Sequence, residues 1–222
     1  MTFSQKILFV ISRICKPVFH ILFSWKVEGK ENIPLTGPLI LIANHVNLFD
    51  PFFLLFSFPR WINFMAKEEL FRSPFLRPWL RWAGSLSISR GGRVTEKQEM
   101  LKSARDALEK GLILGMFPEG GRSRDGKLRK GKSGSAVIAS KTNVPILPVG
   151  IIGTDKIKGI SWLCKRPRIV VNISKPFMLP PTSNRMSKSQ MELLTTQLMK
   201  EIAALLPPEY QGAYGKHEDR EG

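Results

Sequence analysis

Five short apolar runs, Leu39-Ile40-Leu41-Ile42-Ala43, Ile62-Asn63-Phe64-Met65-Ala66, Leu112 to Phe117, Pro145 to Val149 and Arg168 to Ile173, alternate along the chain with segments of helical spacing. This alternation narrows the fold more than any other property of the sequence. Runs of that length fit strands buried on both faces, and helical segments between them supply the crossovers that parallel strands require. The pattern therefore predicts an α/β fold with a mixed, mostly parallel central sheet flanked by helices. PFFLLFSF (51 to 58) is apolar enough for a buried helix. Thr95-x-x-Gln98 has capping-box spacing for a helix with Met100, Leu101, Ala104 and Leu108 on its apolar face and Gly111 at its end. Helical spacing returns at 135 to 141 and from 187 to 205, where Met191, Leu194, Leu198, Ile202 and Leu205 share a face.

A chain of 222 residues that is 43% hydrophobic has room for one sizeable core. Its 34 Lys and Arg against 18 Asp and Glu give a net charge of +16, which implies an anionic partner: nucleic acid, a membrane surface or a phosphorylated substrate. Nucleic acid fits poorly, because no helix-turn-helix or zinc pattern occurs and the cations are spread along the chain. Cys15 and Cys164 match neither a metal-ligand spacing nor a disulfide framework, as expected in a reducing compartment.

Residues 3 to 25, FSQKILFVISRICKPVFHILFSW, are largely apolar but too interrupted by Lys6, Arg13, Lys16, Pro17 and His20 for a clean membrane span. Phe3, Ile7, Val10, Ile11, Ile14 and Val18 fall on one helical stripe, with Gln5, Ser12, Arg13 and Lys16 on the other side. An amphipathic helix lying in the membrane interface accounts for this pattern, and so does a helix packed on the protein's own core. No small-residue cleavage site follows the apolar run, which argues against a signal peptide. The expected organisation is an anchoring segment at 1–25, a domain at 26–210 and a disordered tail at 211–222.

Two strand ends carry candidate chemistry. NHVNLFD (44 to 50) places His45 and Asp50 in one turn, where the carboxylate can accept from one ring nitrogen and leave the other to take a proton from a hydroxyl. FPEGGRS (117 to 123) combines glycines with Glu119, Arg122 and Ser123; backbone N–H groups and a guanidinium suit an anion. Each segment taken alone is also compatible with an ordinary polar turn. A third segment, GKLRKGKS (126 to 133), satisfies the nucleotide-binding pattern G-x-x-x-x-G-K-[ST]. That pattern needs its first glycine directly after a buried strand, and here residues 118 to 125 intervene.

Together the segments resemble the glycerolipid acyltransferase family of the 1-acyl-sn-glycerol-3-phosphate acyltransferase type, whose best-known members acylate lysophosphatidate to phosphatidate. The resemblance runs from about residue 27 to 155 in four ordered blocks: NHVNLFD, AKEEL (66 to 70) with GSLSISR (84 to 90), FPEGGRS, and VPILPV (144 to 149). It implies His45 as general base and Asp50 as its orienter. It further implies Arg90, Glu119, Gly120 and Arg122 as the acceptor-phosphate region, with Lys67 and Ser123 as additional substrate contacts. Lys132-Ser133-Gly134 corresponds to a family K-x-G that opens a helix, so GKLRKGKS becomes a basic lead into it. The implied reaction uses acyl carrier protein or coenzyme A thioester as donor and needs no metal, cofactor or covalent intermediate. Its setting would be the cytoplasmic face of a membrane, with anionic lipid as a further partner. The family often has Thr at Gly121 and Ser at Asn47, departures that bear on acceptor preference. Another lysophospholipid, a lyso-aminolipid or glycerol phosphate remains open as acceptor; a P-loop hydrolase and a non-catalytic basic module are the readings from other classes.

Overall fold

The computed structural model describes residues 2–74, 76–88, 94–179 and 186–215. Its principal elements in chain order are α1 (Phe3–Leu22), β1 (Ser24–Glu28), β2 (Leu39–Ala43), α2 (Asp50–Ser57), β3 (Ile62–Lys67), α3 (Glu68–Arg72), α4 (Leu76–Trp82), β4 (Leu86–Ile88), α5 (Val94–Glu109), β5 (Ile113–Met116), α6 (Gly134–Thr142), β6 (Ile146–Ile152), α7 (Trp162–Lys165), β7 (Arg168–Ile173) and α8 (Lys188–Ala203). Among the described residues the strands form one sheet in the order β1-β7-β6-β2-β5-β3-β4. Every neighbouring pair is parallel except β6 and β7. The mostly parallel α/β sheet expected from the apolar runs is therefore present, and those runs are β2, β3, β5, β6 and β7. The two edge strands were not expected: β1 has only Trp25 fully inside, and β4 is three residues long.

Strand β2 is buried along its whole length, and its side chains divide between two cores. Leu39, Leu41 and Ala43 meet Phe53 and Leu54 of α2 and Leu8 of α1. Ile40 and Ile42 meet Ala104 and Leu108 of α5, Ala136 and Ile138 of α6, and Leu198 and Ile202 of α8. Burial of each such aliphatic side chain stabilises by roughly 1.5–3 kcal/mol, so the central strands are held from both faces. Helix α5 already includes Val94, so Thr95 lies within its first turn and cannot be its N-cap. Gly111 does end it, with φ +71 and its N–H donated to the Leu108 carbonyl. Residues 211–215, expected in the disordered tail, instead form a short 3-10 turn at Gly212–Tyr214. Tyr214 explains this, since its ring packs on the second core and its hydroxyl accepts the Gly131 N–H at 3.0 Å.

Helix α1 starts with a capping box between Thr2 and Gln5. The same Gln5 side chain donates to Asn63 Oδ1 of β3 at 2.7 Å, which fixes the helix against the sheet. Leu8 and Ser12 are buried, and Phe9, Cys15, Phe19 and Leu22 pack on the first core. The apolar stripe seen in the sequence faces the other way. Phe3, Val10, Ile14, Val18 and Ile21 are 52–80% exposed, so this stripe is not what docks the helix on the domain.

Candidate active site

Strands β2 and β5 lie side by side in parallel, and the chain leaves β2 toward β3 on one side and β5 toward β6 on the other. The crevice beyond their carboxyl ends is the position where open α/β sheets bind ligands. At the end of β2, Asn44 donates its side-chain amide to the Ile151 carbonyl at 2.8 Å and accepts the Ile151 N–H at 2.7 Å, clamping the strand end to β6. The next residue, His45, is thereby held at the rim.

Asp50 opens α2 and is fully buried. Its Oδ2 accepts from His45 Nδ1 at 2.8 Å and from the backbone N–H groups of Val46 and Asn47, each at 2.7 Å. The amides fix the carboxylate, and the carboxylate fixes the imidazole with the proton on Nδ1. Among the described residues Nε2 has no hydrogen-bond partner. The His45 ring stacks on Phe117 at a centroid distance of 4.2 Å, which excludes water from one face.

Phe117 begins the loop that follows β5. Gly120, at φ +68, turns it with its N–H bonded to the Phe117 carbonyl. This loop grips His45 by its main chain: Glu119 Oε1 accepts the His45 N–H at 2.7 Å, and the Ser123 N–H donates to the His45 carbonyl at 2.7 Å. Glu119 Oε2 accepts the Arg129 N–H at 2.9 Å. Burial pushes the Glu119 carboxyl up to about 7, against the pull of those two amides. Glu119, which the family resemblance places in the acceptor-phosphate region, thus accepts one backbone amide on each oxygen. Ser123, a substrate contact by the same resemblance, donates its hydroxyl to Asp125 at 2.6 Å.

The cations gather on the open side of the loop. A Cβ added at Gly121 would lie 3.8 Å from both Lys67 Nζ and Arg129 Nη1. Lys67 ends β3, and Arg122 is exposed next to Gly121. None of Lys67, Arg122 and Arg129 forms a salt bridge among the described residues. Arg129 was not expected at the site; its sequence signal was hidden inside GKLRKGKS. Arg90 lies outside the described residues.

The backbone of GKLRKGKS is occupied by the protein itself. The N–H groups of Lys127, Leu128, Arg129, Gly131 and Lys132 go to Asp125, the Tyr210 carbonyl, Glu119, the Tyr214 hydroxyl and the Pro118 carbonyl. A P-loop needs such amides pointing at phosphates. The segment is a basic lead into α6, and the nucleotide reading fails on this count.

A family model described as Acyltransferase matches residues 24–152, a span that contains His45, Asp50 and the whole loop after β5. The chain belongs to the acyltransferase family. The crystal structure of the 1-acyl-sn-glycerophosphate acyltransferase PlsC from Thermotoga maritima superposes on it with a TM-score of 0.64 and 29% identity, covering 88% of this chain and 77% of that one. A 1-acyl-sn-glycerol-3-phosphate acyltransferase from Borreliella burgdorferi is 32% identical over 149 residues, 66% of this chain and 59% of that protein. One from Streptococcus pneumoniae is 27% identical over 193 residues, covering 83% of this chain and 69% of that protein. The alignment takes in 42% of the chloroplastic relative from Arabidopsis thaliana, so the chain spans about half the length of several relatives.

Both departures from the family pattern have a structural counterpart in this chain. The Asn47 side chain donates to the carbonyls of Thr154 and Ile157 and accepts the Phe49 N–H, tying the histidine turn to the segment after β6. The shorter Ser hydroxyl cannot make all three bonds. Gly121 leaves open the space in which a Thr side chain would meet Lys67 and Arg129.

Proposed function

We propose that this acyltransferase moves a fatty acyl group from an acyl carrier protein or coenzyme A thioester to the sn-2 hydroxyl of 1-acyl-sn-glycerol-3-phosphate, giving phosphatidate. The observation that carries the reading is one loop, 117 to 123, that both grips His45 and presents Gly121 to Lys67 and Arg129. A proton acceptor and two cations are thus attached to the same loop, which supports the reading. The relatives from Borreliella burgdorferi, Streptococcus pneumoniae and Thermotoga maritima are named for the same acceptor, which supports the reading.

With Nδ1–H held by Asp50, Nε2 of His45 takes the proton of the acceptor hydroxyl as that oxygen attacks the thioester carbonyl. The C–O bond forms, the C–S bond breaks, and the departing thiolate recovers the proton from the imidazolium. Base catalysis of this kind supplies roughly a hundred- to ten-thousand-fold, and alignment of thioester and hydroxyl supplies more. Lys67, Arg122 and Arg129 hold the acceptor phosphate through charge-assisted hydrogen bonds, and Arg90 joins them by family resemblance. Glu119, Gly120 and Ser123 act through the shape of the loop.

Helix α1 anchors the domain on the cytoplasmic face of a membrane, where the acceptor resides and anionic lipid matches the +16 charge. Support comes from the outward apolar stripe of α1, a feature of helices that lie in the interface. Among the described residues no helix is long and apolar enough to cross a membrane. Mass spectrometry of products formed from a panel of lyso-acceptors with both thioester donors tests the assignment. Phosphatidate from lysophosphatidate is expected; acylation of other acceptors with lysophosphatidate left unused would replace the substrate.

A further inference from the structure

The loop from β6 to β7 exposes aliphatic and cationic side chains that the catalytic rim does not use. Ile160 is 80% exposed and Leu163 45%, at and beside the short helix α7. Between Lys156 and Arg168 the chain holds Lys156, Lys158, Lys165, Arg166 and Arg168 and not one carboxylate. Exposed branched aliphatics ringed by unopposed cations match an anionic bilayer, with acyl chains beneath phosphate headgroups. An acidic protein partner would satisfy the cations but leave the aliphatics without a purpose.

The loop is not a free tether. Trp162 stacks on Phe23, just past α1, at a centroid distance of 5.0 Å and an interplanar angle of 7°, and meets Phe49 edge-on at 5.8 Å. Arg166 donates to the His20 carbonyl near the end of α1 at 2.8 Å. Asn47, two residues from His45, donates to the Ile157 carbonyl at 3.0 Å. The loop is therefore pinned on one side to the helix with the outward stripe and on the other to the histidine turn. In that turn Leu48 is 60% exposed, and near the end of α1 Ile21 is 72% exposed.

We propose that residues 158–166 are a second membrane contact, with Ile160 and Leu163 entering an anionic bilayer and Lys158, Lys165 and Arg166 at its headgroups. This rests on the reading of α1 as an interfacial anchor and adds to it. One helix lying in the interface leaves the domain free to roll about the helix axis. A second contact pinned to the His45 turn fixes the roll and brings the catalytic rim to the lipid surface, so that a lyso-lipid reaches Nε2 without leaving the bilayer.

Cys164 lies exposed within the loop and Cys15 is partly covered, so Cys15→Ala protein can carry an environment-sensitive dye at Cys164 alone. Vesicles of phosphatidylcholine with one quarter phosphatidylglycerol should shift the dye emission to the blue, and brominated acyl chains should quench it. Ile160→Ser with Leu163→Ser, both at exposed positions, should weaken vesicle affinity about tenfold or more without changing the melting temperature. Lys158→Gln with Lys165→Gln should weaken binding to the anionic vesicles by roughly tenfold and leave binding to pure phosphatidylcholine unchanged. Protein that floats with vesicles while the dye stays silent would overturn the loop contact and leave the α1 anchor standing. Failure to float at all would overturn both. A dye shift produced by protein concentration alone, or by an acidic donor protein and not by lipid, would assign the surface to a protein partner instead.

Discussion

Glu119 Oε1 accepts the backbone N–H of His45 at 2.7 Å, across 74 positions of sequence. The bond joins the ends of two adjacent parallel strands and sets the height of the imidazole above the sheet. It also makes the histidine's placement depend on a buried carboxyl whose pKa stands at about 7 in the folded chain.

A pH dependence of stability follows. The folded state keeps the Glu119 proton up to about pH 7, whereas the unfolded chain releases it near 4.5. Between those values the folded state binds more protons, so the contribution is fully present below 4.5 and is lost as pH rises through about 7. At its largest the loss is about 3 kcal/mol. Urea midpoints at pH 5 and pH 8 should show the wild type losing stability relative to Glu119→Gln, while parallel pH profiles for the two proteins would contradict the assignment.

The cations beside Gly121 should act on binding rather than on chemistry. Lys67→Ala and Arg129→Ala should each raise KM for lysophosphatidate by about tenfold or more, with kcat much less affected. A monoacylglycerol acceptor, lacking the phosphate, should be insensitive to both. Gly121→Thr should be tolerated, because its Cβ meets only ordinary contacts, and should alter KM for the acceptor.

Thermal scans separate the phosphate ligands. Below its micellar range, lysophosphatidate at a hundred times its Kd should stabilise by about 2.7 kcal/mol, and Arg122→Ala should diminish that shift. ATP with magnesium should leave the melting temperature unchanged, since the amides of Lys127, Leu128, Arg129, Gly131 and Lys132 are already bonded within the protein. An ATP-induced shift that disappears in Lys132→Ala would restore the nucleotide reading.

Truncating α1 is a poor test of anchoring, because Gln5, Leu8 and Phe19 pack against the domain. Val10→Ser, Ile14→Ser and Val18→Ser change only exposed positions on the outward face. Combined, they should abolish flotation with neutral vesicles while far-UV circular dichroism and melting stay close to wild type. Undiminished flotation would remove α1 from the account.

Much of this molecule was legible in its sequence because the informative patterns are local. Leu39 to Ala43 is a continuous apolar run, and that is how a parallel strand covered on both faces reads. His45 and Asp50 are five residues apart in one turn, so their contact needs no knowledge of the fold. What escaped depends on distant partners. Ser24 to Glu28 becomes a strand only through its pairing with β7, and Tyr214 draws in the supposed tail only because Gly131 and the second core are beneath it. The partners of Glu119 and Ser123 within the protein, the Arg129 N–H and the Asp125 carboxylate, appear only once the glycine-rich turn is folded. Arg129 is one of four cations in the segment 126 to 133, and only the fold brings it beside Gly121.

The most direct test of the catalytic account is the rate of phosphatidate formation by His45→Ala at saturating lysophosphatidate and thioester. His45 stacks on Phe117 and bonds to buried Asp50, so the substitution should lower the melting temperature while the far-UV circular dichroism of the folded protein stays that of wild type. Loss of the base should lower turnover by at least about a hundredfold. Turnover within a few-fold of wild type would contradict the role of His45 and the mechanism built on it.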